Sequence, residues 1–205
     1  GGGSGIGLEL AKQFVAKNNI VVICGRDLQK LEAVSLQLPG VITVQCDITD
    51  EQSVDKMLEV LDEKGLSVNV IVNNAAKANA YLLSPSAGAA EKAFEEMNTN
   101  YISVIRLTEK VMPKLLGKPE AAIVNITSVV AFVPALIVPT YSASKAALHS
   151  YTQSLRLSLG KFSNVKVFEV MPPVVDTEFS KAIPGQNRMA PANVASDILQ
   201  GIESN

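Results

Sequence analysis

The chain opens on "GGGSGIGLELAKQF" (Gly1–Phe14), and the reading of this stretch decides the fold. Gly1 to Gly5 alone have the composition of a flexible linker. From Ile6 onward, apolar residues recur at Ile6, Leu10 and Phe14, the spacing of one helix face. The glycines therefore run into a helix with no boundary between. Glycine permits a tight turn and lets backbone N–H groups come close to a ligand. A helix N-terminus behind such a turn favours negative charge. The stretch is either a linker or an anion-holding loop, and the rest of the sequence has to choose.

Outward from the loop, short runs rich in Val and Ile alternate with helical patterns. The runs are "NIVVIC" (19–24), "VITVQC" (41–46), "VNVIVN" (68–73), "AAIVNIT" (121–127) and "VKVFEV" (165–170). Nearly continuous apolar runs of this length fit strands covered on both faces of a parallel sheet. Helices are predicted over 27–38, capped by Asp27, and over 49–65, starting at Thr49 and ending on Gly65. Others are expected over 88–117, 140–161 and 191–203. The alternation predicts an α/β fold, a doubly wound parallel sheet with helices on both faces, as a single domain. That domain would span 1–205 and lack its first and last strands, because such a sheet has a strand leading into the glycine loop.

The 205 residues are 47% hydrophobic and carry a net charge of −2, enough apolar material for a sizeable core. No basic tract suits nucleic acid, and no apolar run is long enough for a bilayer. No secretory signal pattern is present, so a cytoplasmic location and no membrane partner are expected. Cys24 and Cys46 form neither a disulfide framework nor a metal set, and read as buried free thiols. No metal site is expected.

The glycines at 1, 5 and 7 do not follow the G-x-G-x-x-G spacing of dinucleotide-binding folds, although the same physical logic applies. The second strand ends "CGRD" (24–27), where an acid would meet the ribose of NAD and an Arg the 2′-phosphate of NADP. Gly25 stands at the acid's place and Arg26 follows. A guanidinium suits a phosphate. Asp27 is either the displaced acid or the helix cap. NADP(H) is therefore preferred, with NAD(H) possible.

With "CDIT" (46–49), "NNAA" (73–76), "NITS" (125–128) and "YSASK" (141–145) in order behind the loop, the chain resembles the short-chain dehydrogenase/reductase family. The resemblance runs from Gly1 to about Thr177. "MPPVVDT" (171–177) and the terminal "RMAPANVASDILQGIESN" (188–205) are similar to its DltE-type oxidoreductases. It implies a tetrad of Asn100, Ser128, Tyr141 and Lys145, with Asn98 a weaker match than Asn100 to the helix asparagine. Tyr141 would be the general acid/base. Lys145 would lower the phenol's pKa and bond the nicotinamide ribose. Ser128 would orient the substrate oxygen, and Asn100 would hold a relay water. Gly1, Ser4, Gly5, Ile6 and Gly7 would bind the cofactor, as would Arg26, Asp47 and Ile48 near the adenosine. Asn73, Pro172 and Thr177 would meet its nicotinamide half, together with Tyr141 and Lys145.

The family pattern has glycine at Ala76 and Pro-Gly where Pro172-Pro173 stands, which stiffens that loop and removes a donor. "AFVPALIVP" (131–139) is core or, beside the tetrad, the lining of a pocket for an apolar substrate. Segments 77–90 and 178–190, the latter with Pro184 and Gly185, read as mobile loops. His149 reads as a satisfied structural histidine. The resemblance implies hydride transfer between a nicotinamide and an apolar ketone, aldehyde or secondary alcohol. It also implies a homodimer or homotetramer formed through the long helices. A sensor that binds NADP(H) without turnover and an interaction protein with a vestigial loop are the competing classes.

Overall fold

The computed structural model describes residues 1–161, 163–184 and 187–204. In chain order the elements are α1 (Gly5–Ala16), β1 (Val22–Gly25), α2 (Leu28–Gln37), β2 (Ile42–Gln45), α3 (Glu51–Glu63) and β3 (Val70–Asn73). They continue with α4 (Ala89–Met97), α5 (Ser103–Leu116), β4 (Ala121–Ile126), α6 (Pro139–Leu159), β5 (Val165–Val170) and α7 (Pro191–Glu203). Two compact units result, Gly1–Met57 with Pro173–Asn205, and Leu58–Pro172.

In the first unit β1 and β2 pair in parallel, from Val22 against Ile42 to Gly25 against Gln45. Ala11 of α1, Ile23 of β1, Leu31 and Val34 of α2, and Val41 pack as one core cluster. Asp27 caps α2, its side chain accepting from the Lys30 N–H at 3.1 Å, an interaction type worth about 1 kcal/mol. α3 begins at Glu51 rather than at the expected Thr49, and the Asp50 carboxylate before it accepts from the Gln52 N–H at 3.1 Å. Thr49 is turned back onto Asp47 instead. α7 packs on α1.

In the second unit β3, β4 and β5 form a parallel sheet in that order. Asn73 pairs with Asn125, and Ile126 with Val170. All of β4 is buried, the expected outcome for an apolar run with no polar alternation. α5 packs against β4 and α6 against β5. Both sheets are parallel with helices joining successive strands, the doubly wound α/β class.

The expected single helix over 88–117 is broken. A π turn at Asn98–Ile102 separates α4 from α5. Such turns are uncommon and concentrate at functional positions. Gly65 does end α3, with φ of +64°. Among the described residues, no helix is long and apolar enough to cross a membrane.

Candidate active site and cofactor cradle

The opening loop is shaped structure, packed on β1. The Gly1 nitrogen donates to the Cys24 carbonyl at 2.6 Å, and the Gly2 N–H reaches the same oxygen at 3.4 Å. A Cβ on Gly2 would stand 2.6 Å from Ile23 Cβ. Gly5 has φ of +55°, and its Cβ would stand 3.0 Å from Thr177 Cγ2. These two glycines are required by contact and by backbone conformation. Ser4 precedes α1 in an extended conformation and its side chain makes no capping bond. The first-turn amides of Gly5, Ile6 and Gly7 therefore receive no acceptor from their own cap. A glycine-rich loop ending in such a helix start fits a phosphate group.

Around the cradle, Asp47 accepts from the Thr49 N–H at 2.9 Å and from its hydroxyl at 2.7 Å. Partial burial opposes ionisation of Asp47, but these bonds, with Arg26, hold its carboxyl below the usual range. Arg26 Nη1 lies 4.0 Å from Asp47 Oδ2 with its side chain 73% exposed. Ile48 is half-buried. Thr177 starts a short 3₁₀ turn and closes a capping box with Ser180. Cys46 is buried, which pushes its thiol up to about 11. Cys24 is only partly buried, against the expectation that both thiols are enclosed.

The 178–190 segment is anchored at its flanks. Val175 bridges Met189. Arg188 donates to the Ser180 carbonyl at 3.0 Å and to the Ile183 carbonyl at 2.6 Å. Gly185 lies outside the described residues.

In the second unit α6 carries Tyr141 and Lys145, both buried. Tyr141 and Lys145 are one turn apart, so their side chains share a face. Lys145 Nζ lies 5.6 Å from the Tyr141 ring centroid and donates to the Ile126 carbonyl at 2.7 Å. That bond ties α6 to the end of β4, two residues before Ser128. Asn100 sits in the π turn and is fully buried. Its amide donates to Ser144 Oγ at 2.9 Å and to the Lys77 carbonyl at 2.8 Å, and its oxygen accepts from the Lys77 N–H at 2.7 Å. Both amide hydrogens are thus committed to protein, and Asn100 braces the turn between Tyr141 and Lys145. Ser128 makes only long bonds, donating to the Pro172 carbonyl at 3.4 Å and accepting from the Val130 N–H at 3.3 Å. Asn73 donates to Asn125 Oδ1 at 2.8 Å across the β3–β4 pair.

The expected lowering of the tyrosine does not occur. Burial, and then the Glu96 carboxylate, push the Tyr141 phenol up. Burial pushes Lys145 down to about 7. Desolvation favours the uncharged form of both groups, and it outweighs the lysine–tyrosine attraction on which the expectation rested.

Three further expectations are decided here. His149 is structural: its Nδ1 lies 2.9 Å from Glu169 Oε1, its Nε2 lies 2.7 Å from Gln153 Nε2, and its ring packs edge-on to Phe132. In "AFVPALIVP" Phe132, Val133 and Leu136 are exposed, Val133 at 75% and Leu136 at 79%, while Val138 is buried, so most of the stretch is not core. The 77–90 segment is not uniformly mobile, because Lys77, Asn79 and Tyr81 are each hydrogen-bonded. Glu96 and Ser144 escaped the sequence reading. Glu96 lies four residues before Asn100, and that helical spacing is the signal that points to it.

A family model for short chain dehydrogenases matches residues 1–188. The chain is 38% identical over 177 residues to "Uncharacterized oxidoreductase DltE" of Bacillus subtilis, covering 86% of this chain and 70% of that protein. It is 32% identical over 197 residues to a serine 3-dehydrogenase of Agrobacterium fabrum, covering 95% and 77%. A solved short-chain dehydrogenase from Burkholderia cenocepacia, in complex with NADP, superposes with a TM-score of 0.86 at 27% identity, covering 100% of this chain and 82% of that one.

Proposed function

The chain belongs to the short-chain dehydrogenase family and is an NAD(P)-dependent oxidoreductase; from that premise we propose that it uses NADP(H) in preference to NAD(H), and that its substrate is an apolar ketone, aldehyde or secondary alcohol. When bound, the nicotinamide supplies or accepts the hydride. The chain's own residues bind, orient and handle the proton.

The observation that carries this reading is the buried Tyr141–Lys145 pair on one face of α6. The Tyr141 phenol, protonated at neutral pH as an ordinary phenol is and pushed further up by burial, would donate its proton to the forming alkoxide in the reductive direction. Ser128 is held only by bonds of 3.3 Å and 3.4 Å, so its hydroxyl can turn to a substrate oxygen at little cost. Lys145, near neutrality in its proton affinity, can take up and release a proton close to pH 7. Asn100 fixes the helix turn that presents Tyr141 and Lys145. The exposed Phe132, Val133 and Leu136 support an apolar substrate.

In the first unit, Gly1, Ser4, Gly5, Ile6 and Gly7 would hold the pyrophosphate and Arg26 the 2′-phosphate. The NADP named for the Burkholderia relative supports that preference. Asp47 and Ile48 would meet the adenine, and Thr177 the carboxamide. In the second unit, Asn73 and Pro172 would contact the nicotinamide half. Exposed Phe94 on α4, Ile102 in the π turn and Leu157 on α6 support pairing of two or four copies.

The test is a thermal-shift titration with NADPH and NADH, followed by NADPH-dependent reduction of a panel of apolar ketones and aldehydes. Larger stabilisation by NADPH and turnover of at least one carbonyl are expected. Equal or larger stabilisation by NADH overturns the cofactor preference, and binding without turnover of any substrate turns the reading into that of a sensor.

A further inference from the structure

Between β3 and α4, the segment Lys77–Tyr81 is bound at every second residue to one face of Lys92–Asn100. Asn100 clasps both the N–H and the carbonyl of Lys77. Glu96 Oε1 accepts from the Asn79 N–H at 2.6 Å and from Asn79 Nδ2 at 3.1 Å. Lys92 Nζ stands 5.0 Å from the Tyr81 ring centroid. Residues 92, 96 and 100 are one turn apart, and they meet residues 81, 79 and 77. Four helical residues rise about 6 Å and two extended residues span about 6.6 Å. The strap therefore runs antiparallel to α4 and the π turn and keeps step with them over these three pairs.

The strap also reaches α6. The Tyr81 N–H donates to the Ile137 carbonyl at 2.8 Å. The Tyr81 hydroxyl lies 2.8 Å from Thr140 Oγ1, in the residue before Tyr141. At the middle of the strap, Glu96 is 0% exposed. Among the described residues, its Oε2 is buried with no hydrogen-bond partner. Half-satisfied buried carboxylates are costly and uncommon.

Resting on the assignment of Tyr141 as proton donor, we propose that Glu96 is a positioning residue: it holds the strap Lys77–Tyr81 in register, and through Tyr81 and Thr140 it sets the first turn of α6, where Tyr141 stands. The influence of the Glu96 carboxylate on the Tyr141 phenol accords with this placement.

The experiment compares Glu96→Ala with Glu96→Gln, which keeps an acceptor for Asn79. Glu96→Ala is expected to lower kcat roughly tenfold or more, as small misplacements of a reacting group do, with KM for NADPH unchanged. Glu96→Gln is expected to restore most of kcat. Amide exchange at both Asn79 and Tyr81 should quicken in Glu96→Ala, a readout that needs no turnover. Should Glu96→Ala fail to fold, Asn79→Ala removes one strap bond at a partly exposed side chain and should give a smaller kcat loss of the same kind. Unchanged kcat in a folded variant with an opened strap overturns the proposal, as does a Tyr81 amide that stays protected. A wild-type protein that reduces no carbonyl sinks the functional assignment instead, and Tyr81 exchange then decides the strap by itself.

Discussion

The glycine loop of the first unit and the α6 face of the second are built from opposite materials. The loop works by what it lacks. Gly2 and Gly5 leave room, the Ser4 side chain makes no capping bond, and the first amides of α1 would carry the binding. The α6 face works by enclosure. Tyr141, Lys145 and Asn100 are all at least 92% buried, and Lys145 and Asn100 are each bonded to another element. A backbone cradle depends on a few forbidden Cβ atoms. A side-chain site depends on a surrounding shell, so it is the more sensitive to residues outside its motif.

The sharpest way to break this contrast is Tyr141→Phe. The ring's packing survives and the proton is lost. A drop in kcat of about 10²–10⁴-fold is expected, the scale of general acid catalysis. NADPH should still raise the melting temperature by most of the wild-type shift, because the loop does not use Tyr141 and only the nicotinamide contact is lost. Full activity in this variant would remove Tyr141 from the chemistry.

Lys145→Met tests the enclosure itself. An unfolded lysine titrates near 10.4, whereas Lys145 is pushed down to about 7 in the fold. Between these values the unfolded chain holds a proton that the folded one does not, so stability rises with pH. Cys46 acts in the opposite direction: its ordinary value is 9.0 and its folded value about 11, so above pH 9 it makes stability fall as pH rises. Below pH 9 the lysine contribution is the cleaner one. From pH 7 to 9 the wild type should gain ~1 kcal/mol per pH unit relative to Lys145→Met, read from urea unfolding at each pH. Parallel pH dependence of the two proteins would mean that Lys145 is not enclosed as the structure has it.

These regions also differ in how legible they were. The strands announced themselves as continuous Val/Ile runs, because strands covered on both faces carry no alternation to obscure them. The loop was ambiguous from glycine spacing alone, and Ile23 and Thr177, which fix Gly2 and Gly5, lie far along the chain. Tyr141 and Lys145 were readable as a pair one turn apart. The sign of their pKa shifts was not, since desolvation belongs to packing rather than to spacing. The π turn at Asn98–Ile102 left no sequence mark. Glu96 was hidden because a glutamate in a helix is ordinarily solvated, and its burial depends on the strap folding over it.

The loop can be probed with two neighbouring substitutions. Gly2→Ala places a methyl 2.6 Å from Ile23, whereas the nearest atom to a Gly3 Cβ is 3.8 Å away. Overpacking of the first kind costs about 1–3 kcal/mol. Gly2→Ala should therefore lower the melting temperature while Gly3→Ala leaves it close to wild type. Equal tolerance of both would return the stretch to a linker.

The smallest expected effect tests which feature of the loop's surroundings reads the cofactor. The Arg26 side chain is 73% exposed and only 4.0 Å contact with Asp47 restrains it, while its carbonyl is fixed by Gln45 Nε2 at 3.0 Å. Its backbone is placed and its guanidinium is free to meet a phosphate. Asp27, the rival reader, is engaged in capping α2. Arg26→Ala should weaken NADPH roughly tenfold, or 1.4 kcal/mol, and leave NADH nearly unchanged, as measured by calorimetric titration. Asp27→Ala should instead lower helix stability by about 1 kcal/mol with little change in either affinity. If Asp27→Ala selectively weakened NADH while Arg26→Ala left NADPH untouched, the acid would be the reader. The preference would then pass to NAD(H), with the glycine cradle itself unaffected.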